Sequence, residues 1–428
     1  MGKKVMVIGG TGGREHALSW KLSQSPKVEK VYLAPGNGGT GNTGENVDIS
    51  PSKTDGLIDF CKEKDVDLVV IGPDDLLADG LCDEFQKNGF AVFGPSKKAA
   101  RIESSKAFAK NLMKKQGVPT AEYEVFTDTE KALDYARNHQ YPLVVKASGL
   151  ALGKGVLICD DFESAQNAIN SIMVDKVFKS AGETIVIEDF MQGSEVSFHV
   201  LSDGTNRVMF PPSQDHKQVF DGDKGPNTGG MGVFGPVSWI SAELADTVDK
   251  NIVEPILEGL KEEKSTFAGC LYPGLMITKD GPKVVEYNSR FGDPETQIYM
   301  RLMESDLYDL LYACATGSLK PDMLKWKPGF AVSVVLASGG YPESYEKGIE
   351  ITGCEEAEAM EDIVLFHAGT RMEDGRLLTS GGRVMNVTAT GDTLDEAIAK
   401  AYKAVEKIHF DKMHYRTDIG RREIPHFL

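Results

Sequence analysis

Over the first hundred residues, short apolar runs alternate with stretches of helical periodicity. Lys4–Ile8, Val31–Ala34, Leu68–Ile71 and Ala91–Phe93 read as strands of the buried type, with amphipathic helices between them, the first from about Arg14 to Ser23. Near-continuous apolar strands separated by helices predict an N-terminal doubly wound parallel sheet. Each run ends in glycine or proline: Gly9-Gly-Thr-Gly-Gly13, Pro35-Gly36-Asn37, Gly72-Pro73-Asp74 and Gly94-Pro95-Ser96. Ligands of such sheets sit at the carboxyl ends of the strands, where these loops would converge.

The rhythm then changes. A helix is expected over Ser104–Gln116, then a helix over Asp128–Asn138, strands Leu143–Ala147 and Val156–Cys159, a helix over Phe162–Met173 and a strand Thr184–Glu188. Glu195–Leu201 and Arg207–Phe210 read as paired strands, Ala242–Glu263 as one long helix, Cys270–Thr278 and Lys283–Asn288 as strands, and Asp306–Thr316 as a helix. A linker, Pro321–Pro328, precedes strands Ala331–Leu336, Val364–Ala368 and Arg383–Ala389 and a helix Leu394–Ile408, a compact C-terminal α+β unit.

Length and charge narrow the function. A chain of 428 residues is too long for one core. Its net charge of −17 argues against general nucleic-acid or anionic-membrane binding. Any phosphate it binds must be held by local lysines, arginines and backbone N–H groups. The six cysteines are scattered without a Cys-x-x-Cys pair, as buried thiols of a reducing compartment would be. No stretch reaches the ~20 apolar residues of a membrane helix, and the first strand begins at once, with no signal peptide visible. A cytoplasmic protein is expected.

The richest stretch is Val285-Glu-Tyr-Asn-Ser-Arg-Phe-Gly-Asp-Pro-Glu-Thr-Gln297. Side chains two apart on a strand share a face, so Glu286, Asn288 and Arg290 project together. A carboxylate beside an amide oxygen suits a hard cation that completes its shell with water and phosphate, and Arg290 could hold an anionic oxygen next to it. An isolated pair of this kind more often simply faces water. Upstream, Ser148-Gly-Leu-Ala-Leu-Gly-Lys-Gly155 lies between two strands, so it is no Walker loop. It reads either as a mobile surface hairpin or as a flap over a triphosphate, with Lys146 and Lys154 reaching the same phosphates. Glu188-Asp-Phe-Met191 is expected as an edge or crossing strand whose exposed backbone reads an adenine edge, with Glu195 accepting from ribose hydroxyls; a plain interdomain connection fits equally well. Ser213-Gln-Asp-His-Lys217 is followed by Gly225-Pro-Asn-Thr-Gly-Gly-Met-Gly232, a polar loop with four glycines in eight residues, flanked by Asp215, Lys217 and Lys224 and costly in backbone entropy. At the start of the chain, Arg14 opens a helix and suits a small phosphate better than a pyrophosphate. No histidine has an arguable Ser or Cys partner, no zinc spacing is present, and protein-kinase patterns are missing. His367 and Arg383 read as structural. The inventory fits phosphoryl transfer.

The chain resembles the phosphoribosylamine–glycine ligase (glycinamide ribonucleotide synthetase) family of the ATP-grasp superfamily. The resemblance is carried by Gly-Gly-Arg-Glu-His-Ala (12–17), Lys-Ala-Ser-Gly-Leu-Ala-Leu-Gly-Lys-Gly-Val (146–156), the two loops at 213–217 and 225–232, and Glu-Tyr-Asn-Ser-Arg-Phe-Gly-Asp-Pro-Glu-Thr-Gln (286–297). Phe-His-Ala-Gly-Thr (366–370), Gly-Gly-Arg-Val (381–384) and Asp-Ile-Gly (418–420) extend it over essentially the whole chain, and an end at Leu428 is similar to the stand-alone rather than the fused forms. It implies an N-terminal substrate-binding domain (1–103), a two-part ATP-grasp domain (104–328) with a mobile lid at about 121–191, and a C-terminal domain (329–428). It implies ATP and Mg²⁺ (or Mn²⁺), the substrates glycine and 5-phosphoribosylamine, no nucleic-acid or membrane partner, and a monomer. The implied nucleotide residues are Lys106, Lys146, Gly153, Lys154, Gly155, Glu188, Asp189, Phe190, Met191 and Glu195. Metal falls to Glu286 and Asn288, catalysis to Arg290, Asp215 and Lys217, and the sugar substrate to Gly12, Gly13, Arg14, Asn37, Asp74 and Asp293. Two positions depart from the family: Asp is usual where Ser148 stands, and Ala where Leu152 stands. Another carboxylate–amine ligase of the superfamily, or a nucleotide-binding regulator without turnover, is the alternative.

Overall fold

The computed structural model describes residues 2–9, 12–151 and 155–421. The first five strands form one parallel sheet in the order Glu45–Asn46, Val28–Ala34, Lys3–Ile8, Leu68–Ile71, Ala91–Phe93. Val5, Val7, Leu68 and Val70 are buried on one face, and Met6, Ile8, Val69 and Ile71 on the other, as a sheet covered by helices on both sides requires. Strand order reverses between Lys3–Ile8 and its neighbour Leu68–Ile71. The loops after these two strands, with Gly9 and Gly12 in one and Asp74 in the other, therefore open onto a crevice.

The middle of the chain builds two sheets. Tyr123–Phe126, Ile185–Asp189, Leu143–Ala147 and Val156–Cys159 pair antiparallel in that order, with helices Thr129–Arg137 and Phe162–Ile169 packed against them around Val145, Ile169 and Ile187. Ile185–Asp189 lies between two partners, which corrects the expectation of an edge strand: the Glu188 backbone belongs to the ladder, and only Phe190 and Met191 lie beyond it. The second sheet runs Ser194–Ser197, Ala268–Thr278, Val200–Asp203, Arg207–Met209, with Gly281–Asn288 also paired to Ala268–Thr278.

Two expected helices are interrupted. Ser105 is extended and separates Lys97–Ser104 from Lys106–Gln116, and its hydroxyl caps the second by accepting from the Phe108 amide at 3.3 Å. The second helix ends at Gly117, whose φ of 68° favours glycine. The stretch 242–262 is helical throughout but passes through a wider π-type turn at Asp249–Val253 just before Pro255, which has no N–H and cannot continue a regular ladder.

The last sheet corrects a boundary in space. Phe330–Ala337, Arg383–Gly391 and Ile363–His367 are joined by Gly232–Gly235 and Gln214–Asp215, so both polar segments, 213–217 and 225–232, are stitched to the C-terminal sheet. Helix Leu394–Val405 covers it. One buried apolar cluster runs from Val5 and Leu18 through Leu201, Tyr299 and Leu311 to Ala331 and Phe366, so the N-terminal, central and C-terminal parts share a core. All six cysteines are free thiols, five of them buried, and no helix among the described residues is long and apolar enough to cross a membrane.

Candidate active site

Gly281–Asn288 brings two polar side chains to one place. Glu286 stands opposite Gly274 and Asn288 opposite Tyr272. A glycine across the ladder leaves the space over Glu286 open. Burial works against the Glu286 carboxylate, yet Lys106, Lys217, Lys146 and Arg290 together hold it below the usual carboxylate range. It makes no ion pair within 4.0 Å among the described residues, so an anion is kept ionised amid cations without being bound by one. Asn288 Oδ1 accepts from Arg290 Nη2 at 3.3 Å. A lone carboxylate and an amide oxygen on adjacent positions of one strand face fit a divalent ion that draws its other ligands from water and phosphate.

The cations around Glu286 come from four parts of the chain. Lys106 is the first residue of helix Lys106–Gln116, and its ammonium lies 3.5 Å from Gly149 O. Ser148 fastens the start of that helix: its carbonyl accepts from Lys106 N (2.8 Å) and its hydroxyl from Ala107 N (3.1 Å). Lys146, at the end of Leu143–Ala147, donates to Val285 O at 3.2 Å and pairs with Glu188. Lys217 pairs with Glu195 and stands 3.9 Å from Asp215. Burial alone would lower Lys217, but Asp215, Glu195 and Glu286 raise it above the ordinary lysine value, so it stays charged. Arg290 is oriented by Glu103 at 3.1 Å.

The nucleotide residues expected beyond Lys106 and Lys146 are divided. Gly153 and Lys154 lie outside the described residues; Gly155 opens the return strand, its Cβ position 2.6 Å from that of Ala151. The Glu188 side chain is buried between Lys146 and Lys110, Asp189 meets His139 at 2.7 Å, and Phe190 is 38% exposed.

The crevice of the first sheet holds the remaining residues. A Cβ on Gly12 would come within 2.9 Å of Asp293 Oδ2, and one on Gly13 within 2.3 Å of Asn386 Nδ2 and 2.5 Å of Gln297 Nε2. The loop must approach that closely, and only glycine allows it. The Arg14 guanidinium, expected to meet an anion, is buried against Glu15 (2.6 Å) and the Phe291 carbonyl (3.2 Å). Its backbone N–H still points to Asp293 Oδ2 at 3.4 Å. Asn37 is turned to the C-terminal part, donating to His367 O at 2.8 Å, while Asp74 acts on Glu103 and Arg290 through its charge. Asp293, which accepts from Gln297 Nε2 at 2.8 Å, is held below the usual carboxylate range despite burial, by Arg383 and Arg14.

Four further residues organise this site: Glu103 and Lys110, which the sequence did not single out, Arg383, which read as structural, and Gln297, the last residue of the richest stretch. Glu103 orients Arg290, and Lys110 completes the Glu188 pair. Arg383 donates to Gly229 O and Asp293 O, both at 2.6 Å, pinning the glycine-dense loop against the crevice. Gln297 holds Asp293. Of the first two, Lys110 alone left a signal, standing four residues after Lys106 and so on the same helix face.

A small antiparallel sheet carrying Lys146, a strand carrying a carboxylate–amide pair, and a further lysine at the start of a helix between the two define the ATP-grasp class of ligases. Family models for phosphoribosylglycinamide synthetase match end to end: the N domain over residues 3–103, the ATP-grasp (A) domain over 104–296 and the C domain over 331–422. The chain belongs to the phosphoribosylglycinamide synthetase family. It is 46% identical to a phosphoribosylamine–glycine ligase of Clostridium acetobutylicum over 418 residues, 98% of this chain and 99% of that one. The crystal structure of a phosphoribosylamine–glycine ligase from Thermotoga maritima superposes with a TM-score of 0.84 at 36% identity, covering 97% of this chain and 99% of that one. A biotin carboxylase domain from Hydrogenobacter thermophilus shares the fold, with a TM-score of 0.73 at 17% identity over 96% of this chain and 91% of that one.

Proposed function

We propose that the protein joins glycine to 5-phosphoribosylamine with cleavage of ATP, the second step of purine biosynthesis, through a glycyl phosphate. A carboxylate is a poor electrophile, and phosphorylation gives it a leaving group. A glycine carboxylate oxygen attacks the γ-phosphorus, that P–O bond forms, the bond to the β–γ bridging oxygen breaks, and ADP departs. The amine nitrogen of phosphoribosylamine then attacks the acyl carbon; the C–N bond forms, the C–O bond to phosphate breaks, and the amine proton is lost.

The observation that carries this reading is the ionised Glu286 carboxylate, unpaired within 4.0 Å among the described residues, amid Lys106, Lys146, Lys217 and Arg290. Glu286 and Asn288 would hold Mg²⁺ (or Mn²⁺), which supplies charge neutralisation to the phosphates. Lys106 and Lys146 bind the phosphates from the helix and lid sides. Arg290 and Asp215 hold glycine and its acyl phosphate by charge and hydrogen bonding, with Lys217 beside Asp215 keeping that carboxylate in place. The lid, about 121–191, excludes water from a hydrolysable intermediate. Phe190 and Met191, beyond the end of strand Ile185–Asp189, and Glu195 take the adenosine. Gly12 and Gly13 offer backbone to the sugar phosphate, with Arg14 bracing the loop and Asn37, Asp74 and Asp293 lining the pocket. The protein is expected to act as a monomer in the cytoplasm.

ADP release by the purified protein, with Mg·ATP and freshly prepared phosphoribosylamine, tests the reading. Release should require both glycine and the amine and vanish in Glu286→Ala. Release indifferent to glycine points to another carboxylate, and tight nucleotide binding without turnover points to a regulator.

A further inference from the structure

Lys146, on which the phosphate reading leans, is already in an ion pair. Its ammonium meets one oxygen of Glu188, and Lys110 meets the other. All three side chains are 3% exposed, so solvent screens none of these charges. Lys110 is fixed from its far side as well: it donates to Thr120 Oγ1 at 2.7 Å, and Thr120 donates to Val284 O at 2.7 Å, two residues before Glu286. Burial pushes Glu188 up, yet Lys146 and Lys110 hold it below the usual carboxylate range. One carboxylate shared by two ammonium groups leaves a net positive charge in the triad. With Lys146 alone, the pair would be neutral and the ammonium committed.

We propose that Lys110 is a positioning residue for nucleotide binding: it shares the Glu188 carboxylate, so that the Lys146 ammonium remains available to a polyphosphate. This rests on Lys146 being a phosphate ligand. Glu188 then serves as a hinge point for charge, steering Lys146 towards Val285 O and the metal strand while Lys110 keeps it from becoming a trap.

The test is the KM for ATP, measured beside kcat and the affinity for ADP. Lys110→Met should raise the KM for ATP about tenfold, ~1.4 kcal/mol, with kcat changed less than about twofold. Adding Glu188→Gln to it should bring the KM back most of the way, because Lys146 is freed again. Lys110→Arg should stay near the parent. Lys110→Met leaves a neutral Lys146–Glu188 pair, whereas the doubly substituted protein leaves the Lys146 ammonium without a carboxylate; thermal melting establishes that each variant is folded. A folded double variant with the KM of Lys110→Met overturns the proposal, as does Lys110→Met with an unchanged KM. Lys146→Met separates the two readings: an unchanged KM there sinks the phosphate role of Lys146 itself, whatever Lys110 does.

Discussion

Arg290 Nη2 lies 3.1 Å from one carboxylate oxygen of Glu103, whose other oxygen accepts from the Ser289 amide at 2.7 Å and hydroxyl at 2.9 Å. Glu103 belongs to helix Lys97–Ser104 and Arg290 to the loop after strand Gly281–Asn288, so the end of the N-terminal part sets the aim of a residue in the central part. Glu103→Gln keeps the shape and removes the charge. We expect a loss of about 1–3 kcal/mol in stability, since a buried hydrogen-bonded charge pair is broken, read as a lower denaturation midpoint. We also expect kcat/KM to fall about tenfold as Arg290 loses its orientation, ~1.4 kcal/mol of transition-state stabilisation. Unchanged kinetics in a destabilised variant would mean that Glu103 serves the fold alone.

Glu286→Gln separates holding metal from holding nucleotide. The substitution removes the negative charge on which Lys106, Lys146, Lys217 and Arg290 all act. Affinity for metal-free ATP should therefore rise or stay constant. Turnover should fall at least about a hundredfold, and the Mg²⁺ concentration for half-maximal rate should climb about 10–100-fold, the usual scale for weakened metal sites. Isothermal titration with ATP in the presence of a chelator, beside ADP release, checks both. Weaker binding of metal-free ATP would count against Glu286 as a metal ligand.

Stability should fall as acid approaches, through two histidines far from the nucleotide. His16 Nδ1 accepts from the His367 amide at 2.8 Å, with the rings 5.6 Å apart. Burial and the neighbouring His367 lower His16 to about 3, and burial lowers His367 to about 4. Both are depressed below their unfolded value, so the unfolded chain takes up protons first. The stability they permit is complete above about pH 6.5 and is lost as pH falls towards 4 and 3, at up to ~1.4 kcal/mol per pH unit per group. His16→Gln, which keeps an acceptor near the His367 amide, should reduce the slope of unfolding free energy against pH between 6 and 4.5 by about one proton. An unaltered slope would assign the acid sensitivity to other groups.

The parallel sheet was legible because its apolar runs are local. Leu68–Ile71 and Ala91–Phe93 coincide with observed strands, and Lys4–Ile8 lacks one residue. The pairing of Gly232–Gly235 with Phe330–Ala337 was not legible, since about a hundred residues separate the strands and glycine carries no strand signal. Among site residues, strand alternation brought Glu286 and Asn288 to one face, and the family resemblance supplied Lys106 beside them. Lys110 and Glu103 were missed for one reason. A charged residue on a helix reads as solvated, and only tertiary packing reveals it as buried and paired. Arg14 was misjudged in the opposite sense: its neighbour Glu15, visible in the sequence, neutralises it before any ligand arrives.

Ser148 offers the last prediction. Its hydroxyl accepts from the Ala107 N–H at 3.1 Å and its carbonyl from the Lys106 N–H, so it ties the end of a lid strand to the first turn of helix Lys106–Gln116. Ser148→Asp would keep the acceptor and add a negative charge at the positive end of that helix, worth about 0.3–1 kcal/mol. The melting temperature should rise. The same charge would sit beside the Lys106 ammonium, which lies 3.5 Å from Gly149 O, and would draw it from the phosphates. The KM for ATP should therefore increase about threefold, ~0.6 kcal/mol, with kcat nearly constant. A higher melting temperature with no change in the KM would show that Lys106 makes its contribution to nucleotide binding without competition from position 148.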